Sequence, residues 1–392
     1  MLSQKAKTIT PSVTLGISTK VKEMKSQGIE ITNLSVGEPD FNTPEKAKNA
    51  GIETINSNKT RYDAAPGLKE LRIAAAKKLK VENGLDYDFE NIVISSGAKH
   101  AITNALIALV DPGDEVIVPM PYWVSYPEMI KLTGGVPVFV DTAFENNFKL
   151  TADELKASIT DKTKILFITN PSNPTGAVYS KDELMAIAKV CLENNIIIFA
   201  DEIYERICFK DTFTSIASLS DAIKDITVII NGMSKSAAMT GLRIGYTATN
   251  KTLAKAIGSL QGHLVSHPST ISQYMALTAL EECASDIEAM VETYRGRRDT
   301  CVELFNEIDE ISIVEPDGAF YIFMNISKIR NKVNPKESLS LEVCDRLLND
   351  YKLAVVPGIA FGKDDYLRMS YATDMDTIKT GISKIKTFVE SL

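Results

Sequence analysis

Histidine and cysteine are scarce in this sequence, and the scarcity narrows its chemistry. Only His100, His263 and His267 occur in 392 residues, which leaves little material for a histidine-based metal site or a catalytic triad. The five cysteines, Cys191, Cys208, Cys283, Cys301 and Cys344, are widely spaced and form no C-x-x-C pair. Neither a zinc site nor a disulfide framework is therefore expected. No run approaches the ~18 uninterrupted apolar residues of a membrane span. A basic excess is missing too: the net charge is -8, which argues against a nucleic-acid surface but leaves room for a local pocket for a small anion. The first twelve residues are polar and lack the apolar core of a secretory leader, so a cytoplasmic setting is expected. At 44% hydrophobic and 24% charged, the chain reads as a soluble globule long enough for two domains.

What is present is an alternation of helices and short apolar strands. Residues 13–28 suit a short helix with Ser18 or Thr19 as its cap, followed by a strand from Ile31 to Val36 and a turn at Gly37-Glu38-Pro39-Asp40. Strands are expected at 91–95, 115–118, 136–140, 164–168, 196–200, 227–230 and 243–248, with helices such as Lys181 to Glu193 between them. Continuous apolar strands separated by helices predict an α/β fold: a mostly parallel seven-stranded sheet covered on both faces. After a long helical region, Ile271 to about Asn306, shorter strands and terminal helices predict a smaller α+β domain. The expected division is 46–285 for the large domain, with 1–45 and 286–392 forming the small one.

Four features fall at strand ends, where open α/β sheets hold their ligands. Ser95-Ser96-Gly97-Ala98-Lys99 joins a strand to a helix and offers free amides for a phosphate, or is a plain tight turn. Its glycines fit neither a dinucleotide fingerprint nor a Walker loop. Asn170-Pro171-Ser172-Asn173-Pro174-Thr175-Gly176 is a stiff loop presenting an amide, or a turn without a ligand. Asp201-Glu202-Ile203-Tyr204 sets an aspartate beyond an apolar strand, where it needs a cationic partner: a pyridinium nitrogen, or an arginine in a structural pair. Glu202 reads as its solvated neighbour or as a helix cap. Lys235, with Ser234 and with Arg243 opening the next strand, is a surface charge, a phosphate contact or an imine-forming amine.

Taken together, these stretches resemble the fold-type I pyridoxal-phosphate aminotransferases, in the bacterial and archaeal branch of the aspartate aminotransferase family. The matching segments also include Val36-Gly37-Glu38-Pro39-Asp40, Arg61-Tyr62, Gly67 to Arg72, Pro121-Tyr122-Trp123-Val124-Ser125-Tyr126-Pro127, Ser234-Lys235 through Tyr246 and Arg368-Met369-Ser370-Tyr371-Ala372. They occur in family order over nearly the whole chain. The resemblance implies that Lys235 carries the internal aldimine of pyridoxal 5'-phosphate and that Asp201 pairs with the ring nitrogen. Tyr204 and Asn173 would hold the ring's 3-oxygen, and Trp123 would stack on the ring. Ala98 and Lys99 (through their amides), Ser234 and Arg243 would bind the phosphate, joined by Tyr62 from a second subunit. That implies a homodimer with shared sites. Arg368, helped by Asn173 and Gly37, would take the substrate carboxylate. The implied reaction moves an amino group from an L-amino acid, aspartate foremost, to 2-oxoglutarate through pyridoxamine phosphate. The alternatives are an aromatic or broad donor range, or carbon–sulfur lyase chemistry on the same scaffold.

Donor choice is expected to rest on Ile17, Trp123, Phe361 and the stretch 261–267, where His263-Leu264-Val265 replaces the Ser/Thr-rich run of close relatives. His267 reads as a helix cap or an interface residue, His100 as helix packing, and Phe320-Tyr321 as small-domain core.

Overall fold

The computed structural model describes residues 2–11, 13–210 and 212–392, so Met1, Ser12 and Asp211 lie outside the described residues. The strands, in chain order, are β1 (Thr32–Asn33), β2 (Ile92–Ser95), β3 (Glu115–Met120), β4 (Val136–Asp141), β5 (Thr163–Thr169), β6 (Ile197–Asp201) and β7 (Thr227–Gly232). They continue with β8 (Gly245–Ala248), β9 (Ser312–Ile313), β10 (Tyr321–Asn325), β11 (Leu353–Ala354), β12 (Val356–Pro357) and β13 (Tyr366–Ser370). The large sheet has seven strands in the order β2-β8-β7-β6-β5-β3-β4. Only β8 runs antiparallel to its neighbours. β6 and β7 are buried at nearly every position, as strands covered on both faces must be.

Local chemistry explains the helices that cover it. Ser180 accepts from the Glu183 amide, and the Glu183 carboxylate returns to the Ser180 amide, so Lys181–Glu193 starts on a reciprocal cap. The last helix, Met375–Glu390, starts on the Asp374 side chain, which accepts from the Thr377 amide at 2.8 Å. The first long helix lies where expected, but its cap does not. It spans Val13–Ser26, so Ser18 and Thr19 are interior, and the Thr19 hydroxyl donates back to Leu15 O at 3.0 Å instead of capping. The expected strand 31–36 shrinks to β1, which pairs in parallel with β11.

The smaller α+β part is built on the antiparallel sheet β12-β13-β10-β9. The expected single helical region 271–306 is two helices, Thr270–Glu282 and Ala284–Phe305, parted at Cys283. The second serves both cores: Ile287 packs with the large-sheet cluster, whereas Met290, Tyr294, Cys301 and Phe305 pack against β10 and β13. All five cysteines are free. Among the described residues no helix is long and apolar enough to cross a membrane.

Candidate active site

The carboxyl ends of β2, β5, β6 and β7 open on one side of the sheet. The start of antiparallel β8 joins them, because Gly245 stands opposite both Ser95 and Gly232. A cavity of about 400 Å³ lies there, walled on the far side by Ser35 to Glu38, Tyr321 and Arg368. Its size suits a cofactor with a small substrate. Of the residues that the resemblance assigns to cofactor and substrate carboxylate, all but Tyr62 line it: Gly37, Ala98, Lys99, Trp123, Asn173, Asp201, Tyr204, Ser234, Lys235, Arg243 and Arg368.

The helix Ala98–Leu109 points its start into this cavity. Its His100 and Ala101 amides turn back to Gly97 O, both at 3.1 Å, leaving those of Ala98 and Lys99 at the open end. Gly97 has φ +87°, and a Cβ there would run into the Arg243 guanidinium. Gly245 is needed for a different reason, since its Cβ would strike the Gly97–Ala98 backbone. Arg243 does not open β8 as expected. It sits in the left-handed region (φ +57°) in the turn before it, and its Nη1 donates to Thr240 O at 2.9 Å. Amides, a guanidinium and Ser234 thus surround a space from which side-chain carbon is excluded, which suits a phosphate.

Asp201 is the last residue of β6 and is buried. Its Oδ2 accepts from Tyr126 Oη at 2.6 Å, and its Oδ1 from the Ile203 amide at 3.3 Å. Burial pushes its carboxyl up to about 6, against the pull of those two bonds and of Lys235. Glu202 is not solvated as expected. It is buried on the other face, accepts from Ser215 Oγ at 2.7 Å, and burial raises it to about 7. Beneath it lies a buried ionic group: Lys78 pairs with Glu205, and Asn83 and Asn231 donate to the same carboxylate at 2.9 and 2.8 Å.

Lys235 follows β7 in a one-turn helix, Met233–Ser236. Its Nζ donates to Gly37 O at 2.5 Å. Burial draws the amine down to about 8; Arg368 and Arg243 push the same way, and Glu38 and Asp201 oppose them. Asn173 and Arg368 meet at 3.2 Å, and Arg368 also donates to Ser35 O at 3.0 Å. The Arg368 Nε is buried with no protein partner among the described residues, so the guanidinium is aimed and incompletely satisfied. Of the two asparagines in the 170–176 loop, Asn170 is structural and accepts from the Tyr179 amide at 3.1 Å.

Some expectations move. Tyr62 is 92% exposed and touches His267 edge-on at 5.9 Å, outside the cavity. His267 does not cap the following helix; Ser269 does, and His267 Nε2 accepts from the Asp63 amide at 3.0 Å. Phe361 is wholly buried, and neither it, Ile17 nor the 261–267 stretch lines the cavity of this chain. Phe320 is core as expected, but Tyr321 reaches the cavity, where its hydroxyl meets that of Tyr204 at 2.8 Å. No place in the site was expected for Thr14, Leu15, Ser18, Glu38 or Tyr126, which also line the cavity.

Comparison with known proteins places this geometry. The model of the aminotransferase class I and II family matches residues 29–385. The chain is 43% identical to an aspartate aminotransferase of Bacillus sp. (strain YM-2) over 100% of this chain and 99% of that one. It is 42% identical to a probable aspartate/prephenate aminotransferase of Aquifex aeolicus, with 100% and 99% covered. The solved aspartate aminotransferase from Rhizobium meliloti superposes with a TM-score of 0.95 at 36% identity, covering 100% of this chain and 99% of that one. The Thermus thermophilus aspartate aminotransferase solved with maleate gives 0.93 at 36% identity, both chains covered in full.

Proposed function

Because the chain belongs to the fold-type I pyridoxal-phosphate aminotransferases of the aspartate aminotransferase family, we propose that it transfers the amino group of L-aspartate to 2-oxoglutarate. The observation that carries this reading is the convergence of Lys235, Asp201, Arg243 and Arg368 on one cavity. The cavity fits pyridoxal phosphate on three counts. Gly97 and Gly245 leave an open cup beside Arg243, Asp201 is a buried carboxylate in no ion pair among the described residues, and Lys235 is a depressed amine on the same cavity.

In this reading Ala98, Lys99, Ser234 and Arg243 hold the phosphate, Asp201 the ring nitrogen, Tyr204 and Asn173 the ring oxygen, and Trp123 the ring face. When bound, the cofactor supplies the electron sink for charge released at the substrate Cα. The protein's work is then positional and protonic. Arg368, with Asn173 and Gly37 beside it, orients the substrate α-carboxylate as a planar fork. Lys235 Nζ takes the Cα proton, and its depressed basicity makes the neutral amine available near neutral pH. Tyr126 keeps the Asp201 carboxylate in place, so burial and a ring cation offset one another.

Aspartate as donor is supported by the names of the relatives and by maleate, a dicarboxylate, in the Thermus structure. A second reading, an aromatic or broad donor range, is supported by the apolar side chains of Leu15, Trp123 and Val124 in the lining. The reading also includes a cytoplasmic homodimer in which the exposed Tyr62 reaches the partner's phosphate site. A panel of amino donors with 2-oxoglutarate tests the assignment. Aspartate should give the highest kcat/KM; pyruvate and ammonia formed without 2-oxoglutarate would make the enzyme a lyase instead.

A further inference from the structure

Tyr321 sits on β10 opposite Ser370 of β13, two residues past Arg368. It is 1% exposed, yet it faces the cavity. Its hydroxyl lies 2.8 Å from that of Tyr204, and its ring lies 4.4 Å from the Arg368 guanidinium carbon. The hydroxyl also rests on Gly37, where an added Cβ would come within 2.9 Å of it. A side chain at position 37 would therefore displace the Tyr321 hydroxyl.

We propose that Tyr321 is a positioning residue that acts through Tyr204: its hydroxyl donates to the Tyr204 oxygen and so commits the Tyr204 proton to the cofactor's ring oxygen. This rests on the assignment of Tyr204 to that oxygen. The argument is one of proton count. Burial holds both phenols above their ordinary range, so each hydroxyl keeps its single proton. Tyr204 cannot donate to an anionic ring oxygen and to Tyr321 at once. With the cofactor in place, the 2.8 Å bond must run from Tyr321 to Tyr204. A phenol that accepts a hydrogen bond is a stronger donor, because buried hydrogen-bond chains polarise one another. The Tyr321 ring meanwhile lies against Arg368, so removing only the hydroxyl leaves the carboxylate grip intact.

The experiment is a pH titration of the visible absorbance of the holoenzyme. The ring oxygen would be most negative when the Lys235 nitrogen joined to the cofactor has lost its proton, so a donor to that oxygen would lower the midpoint. Tyr321→Phe should raise the midpoint by roughly 0.3 to 1 pH unit. It should lower kcat while leaving donor KM within about threefold, since the ring beside Arg368 stays. In a Tyr204→Phe background the same substitution should move the midpoint by less than about 0.2 unit. No shift in the single variant, or the same shift in both backgrounds, overturns the relay. A raised donor KM with unchanged kcat also overturns it, placing the role at Arg368 instead. A wild-type protein with no visible band would remove the cofactor assignment, and this inference with it.

Discussion

The Tyr126 hydroxyl joins two oxygens that lie far apart in sequence: it donates to Asp201 Oδ2 at 2.6 Å and meets Thr169 Oγ1 at 2.8 Å. Its ring stacks on Phe167 with centroids 4.4 Å apart, so this support is itself fixed by packing. Even so, burial holds the Asp201 carboxyl at about 6, above its ordinary 3.8. Between about pH 4 and 6 the folded chain therefore binds more protons at Asp201 than the unfolded chain does. This group's contribution to the stability of the cofactor-free protein falls as pH rises through that window, and a constant penalty remains above it. Asp201→Asn should make the cofactor-free protein more stable at pH 7, by up to about 3 kcal/mol, and leave it near wild type at pH 4. Urea unfolding at the two pH values measures this. Equal stabilities at pH 7 would mean that the bare site already compensates the charge.

Lys235→Ala should abolish turnover, by at least about 10⁴-fold, and remove the visible absorbance of the bound cofactor. The linkage has the opposite slope to that of Asp201. The amine is held at about 8 against an ordinary 10.5, so between those values the unfolded chain binds more protons and stability rises with pH. Below pH 8 the full penalty is present. Lys235→Met should therefore raise the urea midpoint of the cofactor-free protein at pH 7 and lose that advantage near pH 10.5. A variant that kept the visible band would place the covalent anchor elsewhere.

Gly97→Ala combines a strained φ with a methyl group directed at Arg243. The backbone term alone is worth about 1 to 3 kcal/mol, and the guanidinium must also leave its place. The expected result is a cofactor dissociation constant at least about tenfold higher by fluorescence titration, with a smaller change in substrate KM. Unchanged cofactor affinity would take the anion cup away from this turn.

Lys78→Met would leave the Glu205 carboxylate buried among Asn83 and Asn231 without its cation. Stability should fall by about 3 to 5 kcal/mol, and Lys78→Met with Glu205→Gln should recover part of the loss. Thermal melts of the two variants test the sign. A double variant no better than the single would show that Glu205 is not the group left stranded.

The large sheet was readable because its strands are continuous apolar runs, and helices such as Lys181–Glu193 announce their own starts. That Lys235, Asp201 and Asn173 would share one cavity was readable because strand ends are where such sheets hold ligands. Glu202 was misread because alternation sends the residue after Asp201 to the opposite face. In a sheet covered on both sides that face is another interior, not solvent. Tyr126 stood in a matching segment and Tyr321 beside Phe320 in an expected strand, but neither signalled a role in the site. Each owes its place to a pairing across the fold, with Asp201 and Tyr204 respectively, and neither pairing leaves a trace in nearby residues. The cap of the Val13–Ser26 helix was misassigned because Ser18 and Thr19, which look like caps, lie inside it.

The helix Ala284–Phe305 lies in both hydrophobic clusters, and the cavity lies between the structures those clusters support. Arg368 and Tyr321 belong to one wall, and Asp201 and Lys235 to the other. The pocket is therefore a seam, and neither core alone dictates its width.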